Sequence, residues 1–193
     1  FSVSAKFLGF LYCLCICCNA VAQPAPVVVG SKNFTEGYLL AEIMAQLLES
    51  RGFPIERQFG FGGTLIAFEA LRAGEIDVYA EYSGTISQAI LAAETAQSDD
   101  EIATALEVFD LEPLPTFGFN NTYAIAVTEN IAAQFELSRI SELQSHRELR
   151  FGLSHEFRDR PDGWPGLKTI YRLPQDSLGI EHGLAYQALL EKE

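Results

Sequence analysis

Short apolar runs alternate with helical patterns along the first half of the chain, and this alternation restricts the fold more than any other feature. Val27-Val28-Val29 is long enough for a buried strand, and the apolar residues after it recur at helical spacing (Leu39, Leu40, Ile43, Leu47 and Leu48). The same order of strand, loop and helix returns from Ile55 to Gly74 and again from Ile76 to Ala93. Strands joined by helical crossovers form a parallel sheet with helices on its faces. The sequence therefore predicts an α/β fold, with ligands bound at loops beyond the carboxyl ends of the strands.

Polar residues and glycines mark the expected helix ends. Asn33, with Glu36 three residues later, is expected to cap the first helix, and Gly52 is expected to stop it. Thr64, after the glycines of Gly60-Phe61-Gly62-Gly63, is expected to cap the next helix.

A proline-marked extended segment separates the first half of the chain from the second. Pro113 and Pro115 precede Asn120-Asn121, where we expect the chain to cross into a second lobe. The second lobe is predicted to hold two strands and two helices (near 123–127, 149–153, Leu167 and Leu184). The predicted domains are a signal peptide over residues 1–22, a first lobe over 23–119 and a second lobe over 120–193.

The first 22 residues have the pattern of a secretory signal peptide. Lys6 precedes an apolar run from Phe7 to Cys18, and Ala20-Val21-Ala22 is a small-x-small cleavage signal, so cleavage is predicted after Ala22. Twelve apolar residues are too few to span a bilayer as a helix. A lipoprotein signal is the alternative, but the residues before Cys13 and Cys18 lack its small-residue box. A secretory signal peptide predicts that the mature chain is periplasmic. All four cysteines lie in this segment without neighbouring His or carboxylate residues, so the mature chain is expected to be free of thiols.

The charge balance excludes some partners. The chain has 13 Lys and Arg residues against 26 Asp and Glu residues, a formal net charge of −13. Nucleic acid and anionic membranes would repel such a surface. The balance fits a soluble protein, expected to be a monomer, and weakly favours cationic or zwitterionic ligands.

The motifs that resemble enzyme or metal sites are incomplete. Gly60-x-Gly62-Gly63 would need a glycine at position 65 to match a dinucleotide fingerprint, and that position is Leu65. The segment from Gly152 to Glu156 lacks the final glycine of a nucleophile elbow, so Ser154 is expected to be a turn or pocket residue. The three histidines lack the spacing of a metal site (His146, His155 and His182). We therefore expect no catalytic residues, no metal and no cofactor, with a secreted hydrolase using Ser154 as a remote alternative.

Tyrosines in loops are the stronger signal. Tyr79 and Tyr82 flank Glu81 at the end of a predicted strand, and Tyr123 follows the expected domain crossing. An aromatic ring face attracts a cation, and quaternary ammonium groups suit such a site because they cannot donate hydrogen bonds. Composition alone favours tyrosines that are half-buried in strands over a cage.

Three glycine-containing motifs and a later block carry a resemblance to a known family. They are Gly30 to Glu36 (GSKNFTE), Gly60 to Thr64 (GFGGT), Gly74 to Thr85 (GEIDVYAEYSGT) and Asn120 to Val127 (NNTYAIAV). In this order they resemble the glycine betaine/choline/carnitine-type substrate-binding proteins of osmoprotectant ABC transporters. The resemblance runs from Val27 to the end of the chain and is firmest up to Val127.

The resemblance implies a two-lobed α/β periplasmic binding protein (type II-like) that closes on a quaternary-ammonium solute in the interlobe cleft and docks on a membrane permease. Tyr82 and Tyr123 match two walls of the family's tyrosine cage. Thr85 matches the position beside the cage, where Thr suits a betaine carboxylate and an acid would suit choline. Ser31 and Lys32, on the first β–α loop, match the cleft less firmly.

Two departures from the family pattern affect these expectations. Gly37 stands where the family often has a polar residue, commonly Gln. The family's later cage motifs, Tyr-Ser/Thr-Thr-Asp and Pro-Pro-Tyr, do not occur, although Tyr186 resembles the stretch before the first of them. We therefore expect this chain to lack the C-terminal part of the fold, and residues 23–193 alone to bind ligand weakly or not at all. A receptor or regulatory module that binds a different small solute for signalling stays open as an alternative function.

Overall fold

The computed structural model describes residues 24–92, 96 and 98–191. The predicted signal peptide lies outside these residues. None of the helices in the described ranges is both long enough and apolar enough to cross a membrane.

The first half of the chain forms a small parallel sheet with helices against it. Strands β1 (Val27–Lys32) and β2 (Ile55–Phe61) pair in parallel, with Val27 opposite Ile55 and an irregularity between Gly30 and Lys32. Helix α1 (Thr35–Ser50) connects them, and α2 (Thr64–Arg72) follows β2. The predicted third strand is reduced to one parallel bridge between Val29 and Val78.

Short helices follow the bridge. Helix α3 (Ser83–Thr85) continues into a π-helical turn (Ile86–Ile90), and α4 (Asp99–Leu106) continues into a 3₁₀ turn (Glu107–Phe109). Ser98 caps α4 by accepting a hydrogen bond from the Glu101 amide at 3.3 Å.

The second half holds another parallel pair. Its elements are α5 (Glu129–Gln134), a 3₁₀ helix (Ile140–Ser145), β3 (Phe151–Ser154), α6 (His155–Asp159), α7 (Trp164–Tyr171), β4 (Ser177–Ile180) and α8 (His182–Glu191). Strands β3 and β4 pair from Phe151 opposite Ser177 to Ser154 opposite Ile180. The prediction of parallel strands connected by helices is confirmed in both halves.

The predicted strand at 123–127 is not formed. Residues 111–128 contain neither helix nor strand. A strand needs a partner for its backbone groups, and no described strand runs beside this segment.

Two predicted helix caps were wrong. Helix α1 begins after Phe34, and the side chain of Asn33 instead accepts a hydrogen bond from the Tyr38 hydroxyl at 2.8 Å. Helix α2 begins after Gly63, which leaves the Thr64 hydroxyl free for contacts described below. The stop at Gly52 is confirmed by its φ of +88°, a backbone conformation that favours glycine.

Separate apolar clusters stabilise the two halves. Val29, Ala41 and Ala45 are fully buried between β1 and α1. A second cluster forms where α2 meets α4 (Phe68, Ala96, Ile102 and Leu106). A third cluster lies around β3 and α7 (Leu143, Phe151, Leu153, Phe157, Trp164 and Leu173). Each cluster lies wholly on one side of the boundary expected near residue 120.

Candidate functional site

A buried ion pair lies at the carboxyl end of β1. The Nζ atom of Lys32 is 2.7 Å from Oε1 of Glu81, and the two side chains are 7% and 6% exposed. Glu81 is brought there by the loop that follows the Val29–Val78 bridge. Burial raises the pKa of Glu81, although Lys32 opposes that shift. In the described chain no donor reaches Oε2 of Glu81.

Thr64 connects this pair to the second half of the chain. Its hydroxyl accepts a hydrogen bond from Lys32 Nζ at 3.2 Å and donates to the carboxylate of Glu156, 3.1 Å from each oxygen. Since Lys32 can only donate, the hydroxyl proton of Thr64 must point to Glu156. Residues from β1, α2 and α6 are thereby joined in one line of hydrogen bonds.

Arg160, directly after α6, is the second cation of the site. Its Nε and Nη2 atoms donate to the two carboxylate oxygens of Asp162 at 2.9 and 2.7 Å. Nη1 donates to Thr85 Oγ1 at 3.1 Å and to Glu156 at 3.3 Å, and Nη2 lies 3.5 Å from the carbonyl of Gly84. Asp162 raises the pKa of Arg160, and Arg160 lowers the pKa of Asp162, as expected for a two-pronged charged pair.

The two predicted cage tyrosines lie at this network. The Tyr82 hydroxyl accepts a hydrogen bond from Asn121 at 3.1 Å, and the same amide donates to Glu36 at 2.6 Å. Burial raises the pKa of Tyr82 to about 12, and Glu36 adds to the shift. The ring of Tyr123 packs on Phe157 with centroids 4.6 Å apart, and 53% of the Tyr123 residue is exposed.

Each of these rings faces a cationic side chain. Lys32 Nζ is 5.9 Å from the centre of the Tyr82 ring, and the Arg160 guanidinium is 5.7 Å from the centre of the Tyr123 ring. Both distances are within the range of cation–π attraction. The structure thus brings together four of the five residues predicted from the sequence: Lys32, Tyr82, Thr85 and Tyr123.

Ser31, the fifth, has a different contact. It is 2% exposed, and its hydroxyl accepts a hydrogen bond from the Gly60 amide at 3.0 Å. This contact ties β1 to β2 and places Ser31 and Lys32 in the last residues of β1 rather than in the expected loop. Tyr79, for which no role was predicted, lies beside the same ion pair, because burial and then Glu81 raise the pKa of its phenol.

Sequence reasoning missed Asn121, Glu156, Arg160 and Asp162 as site residues. The last three lie in a stretch rich in charge and proline, from His155 to Pro165, whose local composition indicates no particular role. Ser154 caps α6 by accepting a hydrogen bond from the Phe157 amide at 3.2 Å, as expected for a turn residue. Within the described ranges, no group of three His, Cys, Asp or Glu residues is placed to hold a metal ion.

Residues 25–193 match the model of a family described as the substrate binding domain of ABC-type glycine betaine transport systems. The chain belongs to this family. Its members are binding proteins of transporters and not enzymes, which agrees with the expectation from the incomplete motifs.

The chain is similar to other named proteins, two of which show the range of solutes in their names. The Helicobacter pylori (strain G27) protein named ergothioneine transport permease/ergothioneine binding protein EgtU is 36% identical over 165 residues, 83% of this chain and 30% of that protein. The glycine-betaine-binding protein of Pseudomonas aeruginosa (strain PAO1) is 30% identical over 205 residues, 93% of this chain and 65% of that protein. The chain therefore spans less than two thirds of the length of either relative.

A solved structure shares the fold. The crystal structure of a glycine betaine/carnitine/choline ABC transporter aligns with a TM-score of 0.59 at 23% identity, covering 87% of this chain and 65% of that chain. The predicted α/β binding-protein fold is confirmed by this likeness together with the parallel pairs described above.

Proposed function

We propose that the chain is the solute-binding part of an ABC importer for quaternary-ammonium osmoprotectants such as glycine betaine or choline. It would be exported to the periplasm, with cleavage after Ala22, and would deliver its solute to a membrane permease. The family match and the names of both relatives support this role. Glycine betaine and ergothioneine both carry a trimethylammonium group beside a carboxylate, and this shared unit defines the solute class that we propose.

Tyr82 and Tyr123 are proposed as two walls of the cage for the trimethylammonium group. The observation that carries the proposal is that each ring already has a positive charge within 6 Å of its centre, on Lys32 and Arg160. Rings that attract these cations present the negative face that a quaternary ammonium head also requires. Desolvation makes such an attraction stronger than it is in water, reaching about 2 kcal/mol.

Arg160, Lys32 and Thr85 are proposed to hold the carboxylate of the solute. The Nε and Nη2 donors of Arg160 are taken by Asp162, so the solute carboxylate would be held by Nη1, which now contacts Thr85 and Glu156. Lys32 adds an ammonium held in place by Glu81, and Thr85 Oγ1 already lies 3.1 Å from Arg160. A zwitterion would thus place its positive end on the tyrosines and its negative end between two fixed cations.

The proposed lobes, residues 23–119 and 120–193, meet at these same residues. The hydrogen bonds of Thr64 with Glu156, Thr85 with Arg160 and Tyr82 with Asn121 all cross the boundary. A solute bound among them would contact both lobes and stabilise their closed arrangement by its differential affinity.

Calorimetric titration of the full-length protein with glycine betaine, choline and ergothioneine tests the proposal. We expect saturable binding of at least one compound, a loss of about tenfold or more in Tyr82→Leu, and a smaller loss in Tyr82→Phe, which keeps the ring. Absence of heat with all three compounds would contradict the quaternary-ammonium assignment. Equal loss in the Leu and Phe variants would contradict the cage and leave the solute class standing.

A further inference from the structure

Three aromatic side chains outside the proposed cage contact one another. The rings of Phe34 and His182 lie 6.3 Å apart at 79°, and those of His182 and Tyr186 lie 6.1 Å apart at 90°. Phe34 comes from the loop between β1 and α1, whereas His182 and Tyr186 lie on α8. Both are edge-to-face arrangements of the kind that aromatic rings prefer.

This group, which we call the outer aromatic group, is not part of an apolar core. Tyr186 is 67% exposed, His182 is also exposed and Phe34 is half-buried. None of the three belongs to the buried clusters that stabilise the two halves. Their contact is therefore made outside the buried clusters of the described residues.

The backbone of α1 makes room for Phe34. A Cβ atom at Gly37 would lie 3.1 Å from Cε1 of Phe34 and 3.0 Å from the carbonyl oxygen of Lys32. Contacts of 3.0–3.4 Å to a Cβ are tighter than almost all real ones, so a side chain at this position would displace the ring or the backbone. Glycine at position 37 thus permits the observed position of Phe34.

Lys32 connects the outer aromatic group to the proposed cage. Its Nζ atom lies 5.6 Å from the centre of the Phe34 ring and 5.9 Å from the centre of the Tyr82 ring. A solute carboxylate on Lys32 would therefore lie beside both rings. A further arm on the same solute would then have the Phe34 ring beside it.

We propose that Phe34, His182 and Tyr186 form a subsite for a flat, heteroaromatic arm of the solute. The inference rests on the proposed function, because it takes the trimethylammonium group to lie on Tyr82 and Tyr123. It narrows the solute to betaines that carry an aromatic heterocycle, such as the imidazole-thione of ergothioneine. Glycine betaine ends at its carboxylate and has no arm to fill the subsite.

Comparing ergothioneine with glycine betaine on the full-length protein tests this subsite, since both share the ammonium and carboxylate and only ergothioneine has the ring. We expect the unmutated protein to bind ergothioneine more tightly. In Phe34→Leu, which keeps apolar bulk but removes the ring, we expect about a five- to tenfold loss of ergothioneine affinity and less than about a twofold change for glycine betaine.

Two further variants separate binding from structural effects. His182→Leu should reproduce the selective loss, and it leaves the Phe34 ring, which lies next to Lys32, in place. Phe53→Leu replaces a phenylalanine that is 51% exposed and outside the site, and it should change neither affinity. Equal losses for the two ligands in Phe34→Leu and His182→Leu, or no loss for either, would overturn the subsite. If the unmutated protein bound neither ligand, the proposed function would fail, and the subsite with it.

Discussion

The Nζ atom of Lys32 lies 2.7 Å from Oε1 of Glu81, and both side chains are more than nine-tenths buried. Removing two charges from water costs several kcal/mol per ion, and only close pairing offsets that cost. Oε1 also accepts the Tyr82 amide at 2.9 Å, whereas Oε2 is buried without a donor among the described residues. The pair holds one ammonium group beside Tyr82, and the unpaired Oε2 atom reduces what the pair contributes to stability.

Replacing Glu81 by Gln should destabilise the fold. The variant leaves the ammonium of Lys32 buried without its counter-charge, and we expect the free energy of unfolding to fall by about 3 kcal/mol, as for other broken buried pairs. Urea unfolding at neutral pH measures this. Glu69→Gln is the matched control, because Glu69 pairs with Arg72 on the surface, where both side chains are more than one-third exposed. That change should cost less than about 1 kcal/mol, and equal effects of the two variants would contradict a buried pair.

The raised pKa of Glu81 determines how the stability of the fold changes with pH. Burial raises its pKa from 4.5, so the folded chain binds this proton more tightly than the unfolded chain does. Its contribution to stability is present below about pH 4.5 and is lost as the pH rises through the raised pKa. Glu81→Gln has no such dependence, so the unmutated protein should gain stability relative to the variant on acidification, and the difference between them should widen. A difference that narrowed at low pH would contradict the direction of the shift.

Replacing Arg160 by Lys should weaken the binding of solutes that carry a carboxylate more than the binding of solutes that lack one. A lysine keeps the charge but cannot reproduce the contacts of Arg160 with Asp162 and Thr85 at once. We expect the affinity for glycine betaine to fall about tenfold and that for choline to change much less, measured by calorimetry on the full-length protein. Arg158→Lys is the control, since Arg158 is 41% exposed and pairs with its neighbour Asp159 at 3.6 Å. Parallel losses for both ligands would indicate that Arg160 acts only in folding.

The elements that sequence patterns predicted well are those fixed by local periodicity. The run Val27-Val28-Val29 and the apolar positions of α1 define a strand and a helix without help from the rest of the chain, and both formed as expected. The extended segment at 123–127 has the same kind of apolar content, but whether it becomes a strand depends on a neighbour that pairs with it. Such tertiary information is absent from a local pattern.

The site could be predicted from its aromatic half more readily than from its charged half. Tyr82 and Tyr123 stood out because ring faces beside loops indicate cation binding. Glu156 and Arg160 lie 75 or more positions from Thr64 and Thr85, to which they are hydrogen-bonded, and nothing in the local composition reveals that contact. Thr64 shows the converse error: a threonine after glycines resembles a helix cap, yet its hydroxyl joins Lys32 to Glu156.

Thr64 should therefore contribute to stability through its hydroxyl. In Thr64→Val the side-chain shape is kept, but buried Lys32 loses one acceptor and Glu156, whose side chain is 32% exposed, loses a donor, so we expect a cost of about 1–3 kcal/mol. Thr64→Ser keeps the hydroxyl and removes a methyl group, for which we expect a loss of about 1 kcal/mol. Urea unfolding of the two variants distinguishes these effects. A valine variant as stable as the serine variant would show that the hydroxyl contacts contribute little.

Tyr82 should ionise at an unusually high pH, and its two polar neighbours should shift that value in opposite directions. Its pKa is raised to about 12 by burial, with Glu36 raising it further and the amide of Asn121, which can stabilise a phenolate, lowering it. We expect the difference in ultraviolet absorbance between the unmutated protein and Tyr82→Phe to reveal one phenolate that forms near pH 12. Glu36→Gln should lower this pKa and Asn121→Ala should raise it, with circular dichroism confirming that the protein is still folded at each pH.

Because the phenol stays neutral far above physiological pH, the attraction between the Tyr82 ring and a quaternary ammonium should come from the ring face alone. Solute affinity should then stay constant across the range in which an ordinary tyrosine, with a pKa of 10.0, begins to ionise. An affinity that rises with pH over this range in the unmutated protein, but not in Tyr82→Phe, would show that the phenolate forms near pH 10. Burial would then not raise the pKa of Tyr82.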